Sequence, residues 1–155
     1  MSENELFRNA LAKAMAQCAR REYCINDVRT KLDTLGLGDS ESKKIINLLI
    51  RENFINEDRF ARSFVKDKFN YNKWGKLKIT AHLRSKDIPG ELIKQALDTI
   101  DNETYNKTLS DLLSAHRQSV KAKNQFELKA KLLRYGLSKG FESSMLYELL
   151  NEMEY

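Results

Sequence analysis

Apolar residues recur in three stretches that can be laid over one another: INDVRTKLDTLGL (25–37), KLKITAHLRSKDI (76–88) and FELKAKLLRYGL (126–137). Val28, Ile79 and Leu128 fall in register, then Leu32, Leu83 and Leu132, then Leu37, Ile88 and Leu137, at offsets of 51 and 49 residues. Within each copy the spacing is four and then five. The first step is one turn on a single helix face, and the second carries the chain past a helix end. Just before the last apolar position stand Gly36, Asp87 and Gly136. A helix C-terminus takes a residue tolerant of the left-handed conformation there, which Gly adopts freely and Asp at some cost.

A second amphipathic stripe follows in each copy, over 42–50, 90–100 and 143–153. It is carried by Ile45, Ile46 and Leu49, by Ile93, Ala96, Leu97 and Ile100, and by Leu146, Leu149, Leu150 and Met153. Pro89 suits a first helical position, where its missing N–H is not needed. Upstream of each pair the pattern predicts one more helix, over 5–21, 57–71 and 104–122. Phe60 and Phe64 match Leu109 and Leu113, while Ala10 and Ala14 stand one residue out of step. The chain thus reads as all-α, with three tandem three-helix repeats of about 50 residues. The expected repeats are 1–54, 55–102 and 103–155. Each buries little alone, so neighbours should stack into an elongated, curved array. A single irregular helical bundle is the alternative.

Composition agrees with helix: one Pro and six Gly occur in 155 residues, too few breakers for a loop-rich fold. No apolar run approaches the length that spans a membrane, and the N-terminal stretch lacks the features of a secretory signal. Cys18 and Cys24 have no neighbouring ligand set for zinc and read as reduced thiols of a cytoplasmic protein. Net charge is +5, unevenly spread. Residues 59–86 hold nine Lys/Arg against Asp67, residues 117–139 hold seven against Glu127, and 142–155 hold four Glu and no base. A basic middle favours polyanions or an acidic protein surface.

Enzyme constellations are missing from the pattern. His82 and His116 are the only histidines, no serine sits in a nucleophile elbow, and no glycine-rich phosphate loop occurs. Glu57 and Asp58 follow Asn56, a good N-cap, so they read as first-turn acids that complement the helix dipole. On the helix they open, Phe60, Ala61, Phe64 and Val65 share one face, and Arg59, Arg62 and Lys66 cluster on another. No acid joins that stripe after Asp58, so helix-internal pairs leave it unexplained. FNYNKWGKLK (69–78) then interleaves Phe69, Tyr71 and Trp74 with Lys73, Lys76 and Lys78. That mixture suits single-stranded nucleic acid or a protein hot spot, while Trp74 could equally close a space between helices. The last helices of the second and third repeats are neutral to acidic, which argues against groove reading by them.

The run INEDRFARSFVKDKFNYNKWGKLKITAHLRSKDI resembles the central signature of the RecX family of recombination regulators. That signature has an acid pair, then Arg-Phe-Ala, a Gly, a helix of the form Ile-x-x-x-Leu and a Lys-Gly-Ile turn. It is matched by Asp58, Arg59, Phe60, Ala61, Gly75, Ile79, Leu83, Lys86 and Ile88, with Asp87 in place of the turn glycine. The resemblance implies a cytoplasmic, non-catalytic protein without cofactors. Such a protein binds the RecA recombinase, commonly in the groove of its filament on DNA, and modulates or inhibits strand exchange and ATP hydrolysis. The candidate contact residues are Arg59, Arg62, Lys66, Lys73, Trp74, Lys76, Lys78 and Arg84. Single- or double-stranded DNA is a further expected partner, and a monomer the expected state. The rival readings are a stand-alone DNA-binding module and a purely structural adaptor.

Overall fold

The computed structural model describes residues 2–153. Met1, Glu154 and Tyr155, which belong to the outer edges of the expected first and third repeats, lie outside the described residues. Among the described residues the regular structure is entirely α-helical. The first three helices are α1 (Glu3–Arg20), α2 (Ile25–Thr34) and α3 (Asp39–Arg51). The next three are α4 (Glu57–Asn70), α5 (Lys76–Ser85) and α6 (Gly90–Leu97), and the last are α7 (Asn102–Arg117), α8 (Gln125–Ser138) and α9 (Ser143–Glu152).

The leading helix of each triplet starts on a polar side chain that accepts a hydrogen bond from the first turn. Ser2 accepts from Glu5 N at 3.2 Å, Asn56 from Arg59 N at 3.0 Å and Asp101 from Thr104 N at 3.0 Å. Each cap satisfies one of the amides that helix geometry leaves without an intrahelical partner. The middle helices share their ending. Leu37 N donates to Leu32 O (3.3 Å), Ile88 N to Leu83 O (3.1 Å) and Phe141 N to Gly136 O (3.1 Å). The residue before each bonds three back, from Gly36, Asp87 and Gly140. These three residues carry φ of 87°, 62° and 93°. The pattern is the Schellman turn, with an apolar residue closing it.

The third copy therefore departs from the register expected from sequence. Gly136 is not the left-handed residue and Leu137 is not the closing one. The middle helix here is 14 residues long rather than the 10 of α2 and α5, one more turn. That turn leaves Leu137 44% exposed and gives its core place to Phe141, which is wholly buried. Gly136 instead lies inside α8, where a Cβ would fall 2.3 Å from Leu146 Cδ2. Its bare backbone lets α9 approach. Helix limits also move: α6 ends at Leu97 rather than at 100, and α3 begins at Asp39 rather than at 42. Residues 118–122 are not helical, because Asn124 must be extended (φ −155°, ψ 175°) to cap α8, and a connection has to reach it. Pro89 serves as N-cap of α6 rather than its first residue, its φ of −57° fitting that place equally well.

Among the described residues, buried side chains form two clusters. One draws on the first three helices and includes Ala10, Val28, Leu32, Ile45, Leu49 and Ile55. The other runs without a break through the remaining six and includes Phe60, Val65, Leu83, Leu109, Leu132 and Phe141, joined by Cys24 from the first triplet. The accessible surface is 9729 Å², against roughly 8,000 Å² expected for a compact monomer of this mass. The excess belongs to an elongated tandem array, in which each repeat touches only its neighbours.

Candidate partner and nucleic-acid interface

The eight basic and aromatic candidates fall in four places. Arg59 sits where the first and second repeats meet. Its Nε donates to Glu22 Oε1 and Oε2 at 2.7 and 2.5 Å, and an Nη donates to Asn53 O (3.1 Å) and Phe54 O (3.3 Å). An acid does join the arginine stripe, from 37 residues upstream, and folding thus accounts for much of Arg59. Arg62 pairs with Asp58 one turn earlier at 3.1 Å; both side chains are nearly half exposed, so the pair adds little to stability. Arg62 and the exposed Lys66 border a shallow cleft reaching Thr99 and Thr104.

Two further polar links hold the first repeat to the second. Glu57 caps the neighbouring repeat as well as opening its own helix, accepting from Ile25 N at 3.1 Å. Burial pushes its carboxyl above the usual range, only partly offset by that hydrogen bond. Lys86 Nζ donates to Asp27 Oδ1 at 2.7 Å. Burial alone would raise Asp27, but the hydrogen bonds from Lys86 and Cys24 outweigh it and hold the carboxyl below its ordinary value.

The second junction is made mainly of backbone. Gly75, the N-cap of α5, has no side chain to offer the helix. The free amides there are taken by the third repeat: Gly75 N donates to Lys139 O (2.7 Å) and Leu77 N to Gly140 O (3.0 Å). Between them Lys76 N donates to the Tyr105 hydroxyl (2.9 Å), which in turn donates to Glu142 (2.5 Å). Burial, then that bond to Glu142, pushes the Tyr105 hydroxyl far above its normal range. A Cβ on Gly75 would lie 2.4 Å from the carbonyl carbon of Gly140, and one on Gly140 would lie 2.3 Å from Lys78 Cβ.

This seam gathers Lys73, Trp74, Lys76 and Lys78, while Arg84 lies apart. Trp74 is half-buried, edge-on to Phe64 with ring centres 6.4 Å apart and against His82 at 4.5 Å. Lys78 Nζ stands 4.6 Å and Lys68 Nζ 4.9 Å from its ring centre, both within cation–π range. Lys73 is exposed, with a left-handed φ of 58° that turns the chain out of α4. Lys76 lies over the Tyr105 ring at 4.8 Å. Lys76 and the exposed Arg84 line a different cleft of α5, together with Lys94 of α6. Phe69 is core, 5% exposed.

Two residues missing from the sequence-based set belong here. Lys68 shares the Trp74 ring, and the spacing 68–74 on a helix and its exit turn could have indicated it. Lys139, from the turn after α8, donates to Asn72 O at 2.7 Å. Burial and the nearby Lys78 both lower its pKa. Nothing in linear spacing places residue 139 beside residue 78. Among the described residues no cluster of His, Cys, Asp and Glu could hold a metal, and no helix is long and apolar enough to cross a membrane.

Residues 56–97 match the family model described as RecX, second three-helix domain. The chain is 26% identical to Regulatory protein RecX of Clostridium beijerinckii over 155 residues, covering 99% of this chain and 72% of that protein. It is 27% identical to Regulatory protein RecX of Prosthecochloris aestuarii, covering 99% and 98%. The fold matches the crystal structure of RecX from Lactobacillus salivarius with TM-score 0.81 at 22% identity, over 96% of this chain and 97% of that one. It matches a crystal structure of regulatory protein RecX with TM-score 0.86 at 21% identity, over 96% and 74%. The signature in the second repeat, relatives similar along 99% of this chain and the shared helical array converge: the chain is similar to the regulatory proteins of the RecX family.

Proposed function

We propose that this protein is a non-catalytic, cytoplasmic regulator that binds a RecA recombinase filament as a monomer and modulates, mostly by inhibition, its ATP hydrolysis and strand exchange. Similarity to RecX regulatory proteins along 99% of the chain carries this reading. An elongated array with a basic middle supports it, since a nucleoprotein filament offers acidic phosphates beside protein surface. The array is divided into repeats 1–54, 55–102 and 103–155. The proposed contact face comprises Arg62, Lys66, Lys73, Trp74, Lys76, Lys78 and Arg84. Arg59 lies on the same face but serves the fold first.

The test is a RecA ATPase and strand-exchange assay with the protein titrated in. Both rates should fall with added protein, and a double charge reversal at Lys66 and Lys78 should weaken the effect while helicity is kept. No change in either rate at saturating protein would refute the reading. Tight binding to bare DNA with a steep salt dependence, indifferent to recombinase, would instead favour a DNA-binding module acting alone.

A further inference from the structure

We propose that Lys68 and Lys78, which lie on the Trp74 ring, and Lys139 beside Lys78 at the seam of the second and third repeats form a seat for a backbone phosphate of single-stranded nucleic acid. The seat is assembled by tertiary structure. The contact of Gly75 with Gly140 sets Lys139 beside Lys78, and the exit turn of α4 lays Trp74 beneath Lys68 and Lys78. None of the three ammonium groups is in an ion pair with a described carboxylate. Two rest on the indole, and the third spends one donor on the Asn72 carbonyl. Each keeps N–H donors to spare. Burial first, and then the charge of neighbouring Lys78, holds the Lys139 ammonium below its ordinary pKa.

A compact anion relieves the cluster best. One phosphate presents several oxygens to neighbouring ammoniums, whereas an acidic protein surface would have to bring a separate carboxylate to each. The indole favours a single strand over a duplex. Lysines drawn off the ring toward a phosphate uncover an aromatic face on which an unpaired base stacks. This inference deepens the filament reading, resting on it only for the biological source of the strand.

Trp74 is the only tryptophan in the chain, so its fluorescence reports the site directly. The full-length protein, without recombinase, is titrated with a thymidylate 20-mer, and separately with polyglutamate of equal charge. The oligonucleotide should change Trp74 emission saturably. The slope of log K against log salt should become shallower by ~0.7 for each of Lys68→Gln, Lys78→Gln and Lys139→Gln. Lys44→Gln, an exposed charge in the first repeat, should leave the slope unchanged. Unaltered emission on binding, an equal response to polyglutamate, or an unchanged slope in Lys139→Gln would each overturn the proposal. Because recombinase is absent, such a failure is distinguishable from failure of the filament reading.

Discussion

Substituting Gly75 by Ala tests whether the second junction is set by backbone contact. The residue has an ordinary φ of −76°, so alanine meets no strain of its own. The difficulty lies across the seam, where the new Cβ would stand 2.4 Å from the carbon and oxygen of Gly140 and 2.5 Å from Phe141 N. Backbone atoms fixed by a Schellman turn do not yield as a flexible side chain would, so the repeats must separate. Separation weakens the hydrogen bonds from Gly75 N to Lys139 O and from Leu77 N to Gly140 O, each worth ~1 kcal/mol. Overpacking adds ~1–3 kcal/mol, against ~0.4–1 kcal/mol returned by the stiffer unfolded chain. The net loss is ~2–4 kcal/mol, or roughly 4–16 °C in Tm for a chain of this size. Gly90→Ala is the matched control: a Cβ there meets nothing within 4 Å, so the same substitution should be neutral or stabilise by up to ~1 kcal/mol. Urea unfolding followed by Trp74 fluorescence and by circular dichroism measures both. Gly75→Ala within ~0.5 kcal/mol of the parent would refute the reasoning.

The first junction should answer differently. Arg59→Ala strands Glu22 and two carbonyls and should cost ~1–2 kcal/mol, discounted because the pair is partly exposed, while Arg62→Ala should cost no more than ~0.5 kcal/mol; equal losses in urea midpoints would argue against the contrast. Asp27, held below its ordinary pKa, contributes stability that is present above ~3.9 and lost as pH falls through its lower folded value. Glu57, raised by burial, contributes below ~4.3 and loses that contribution as pH rises through its folded value. The destabilisation caused by Asp27→Asn should therefore shrink as pH is lowered below 4, and that caused by Glu57→Gln should show no such decline; a pH-independent Asp27→Asn effect would count against the assignment. Burial pushes the Cys24 thiol up to about 11 and raises Cys18 as well, so both should resist an aromatic disulfide reagent at pH 8 until urea unfolds the chain. Rapid labelling of the native protein would contradict their burial.

The helices and their triplet arrangement were legible because apolar spacing is dictated locally, by which face each turn presents. Val28, Leu32, Ile79, Leu83, Leu128 and Leu132 are all buried as that spacing requires. The end of α8 was not legible, for a physical reason. The stretch GLSKGF offers two glycine–apolar pairs four residues apart, and either could close a Schellman turn. Only the packing of Leu146 against bare Gly136 and the burial of Phe141 decide between them. The arginine stripe was misjudged in a similar way. Pairing rules within one helix see Asp58 and Arg62 but not Glu22, which reaches Arg59 across a repeat boundary. Lys139 illustrates the same limit at the candidate site, since its place beside Lys78 exists only after the two glycines have met.

The two junctions also differ in what mutation can do to them over long times. Glu22, Asp27, Glu57, Arg59 and Lys86 are side chains, so the tilt of the first repeat can drift by single substitutions that lengthen, shorten or swap an ion pair. The seam at Gly75 and Gly140 offers no such gradation, because any added carbon collides with main chain. A lineage can thus re-aim its first repeat while keeping the pitch between the second and third. A designer wishing to lengthen the array with a constant pitch would copy the glycine seam, and one wishing to bend it would rewrite the ionic one.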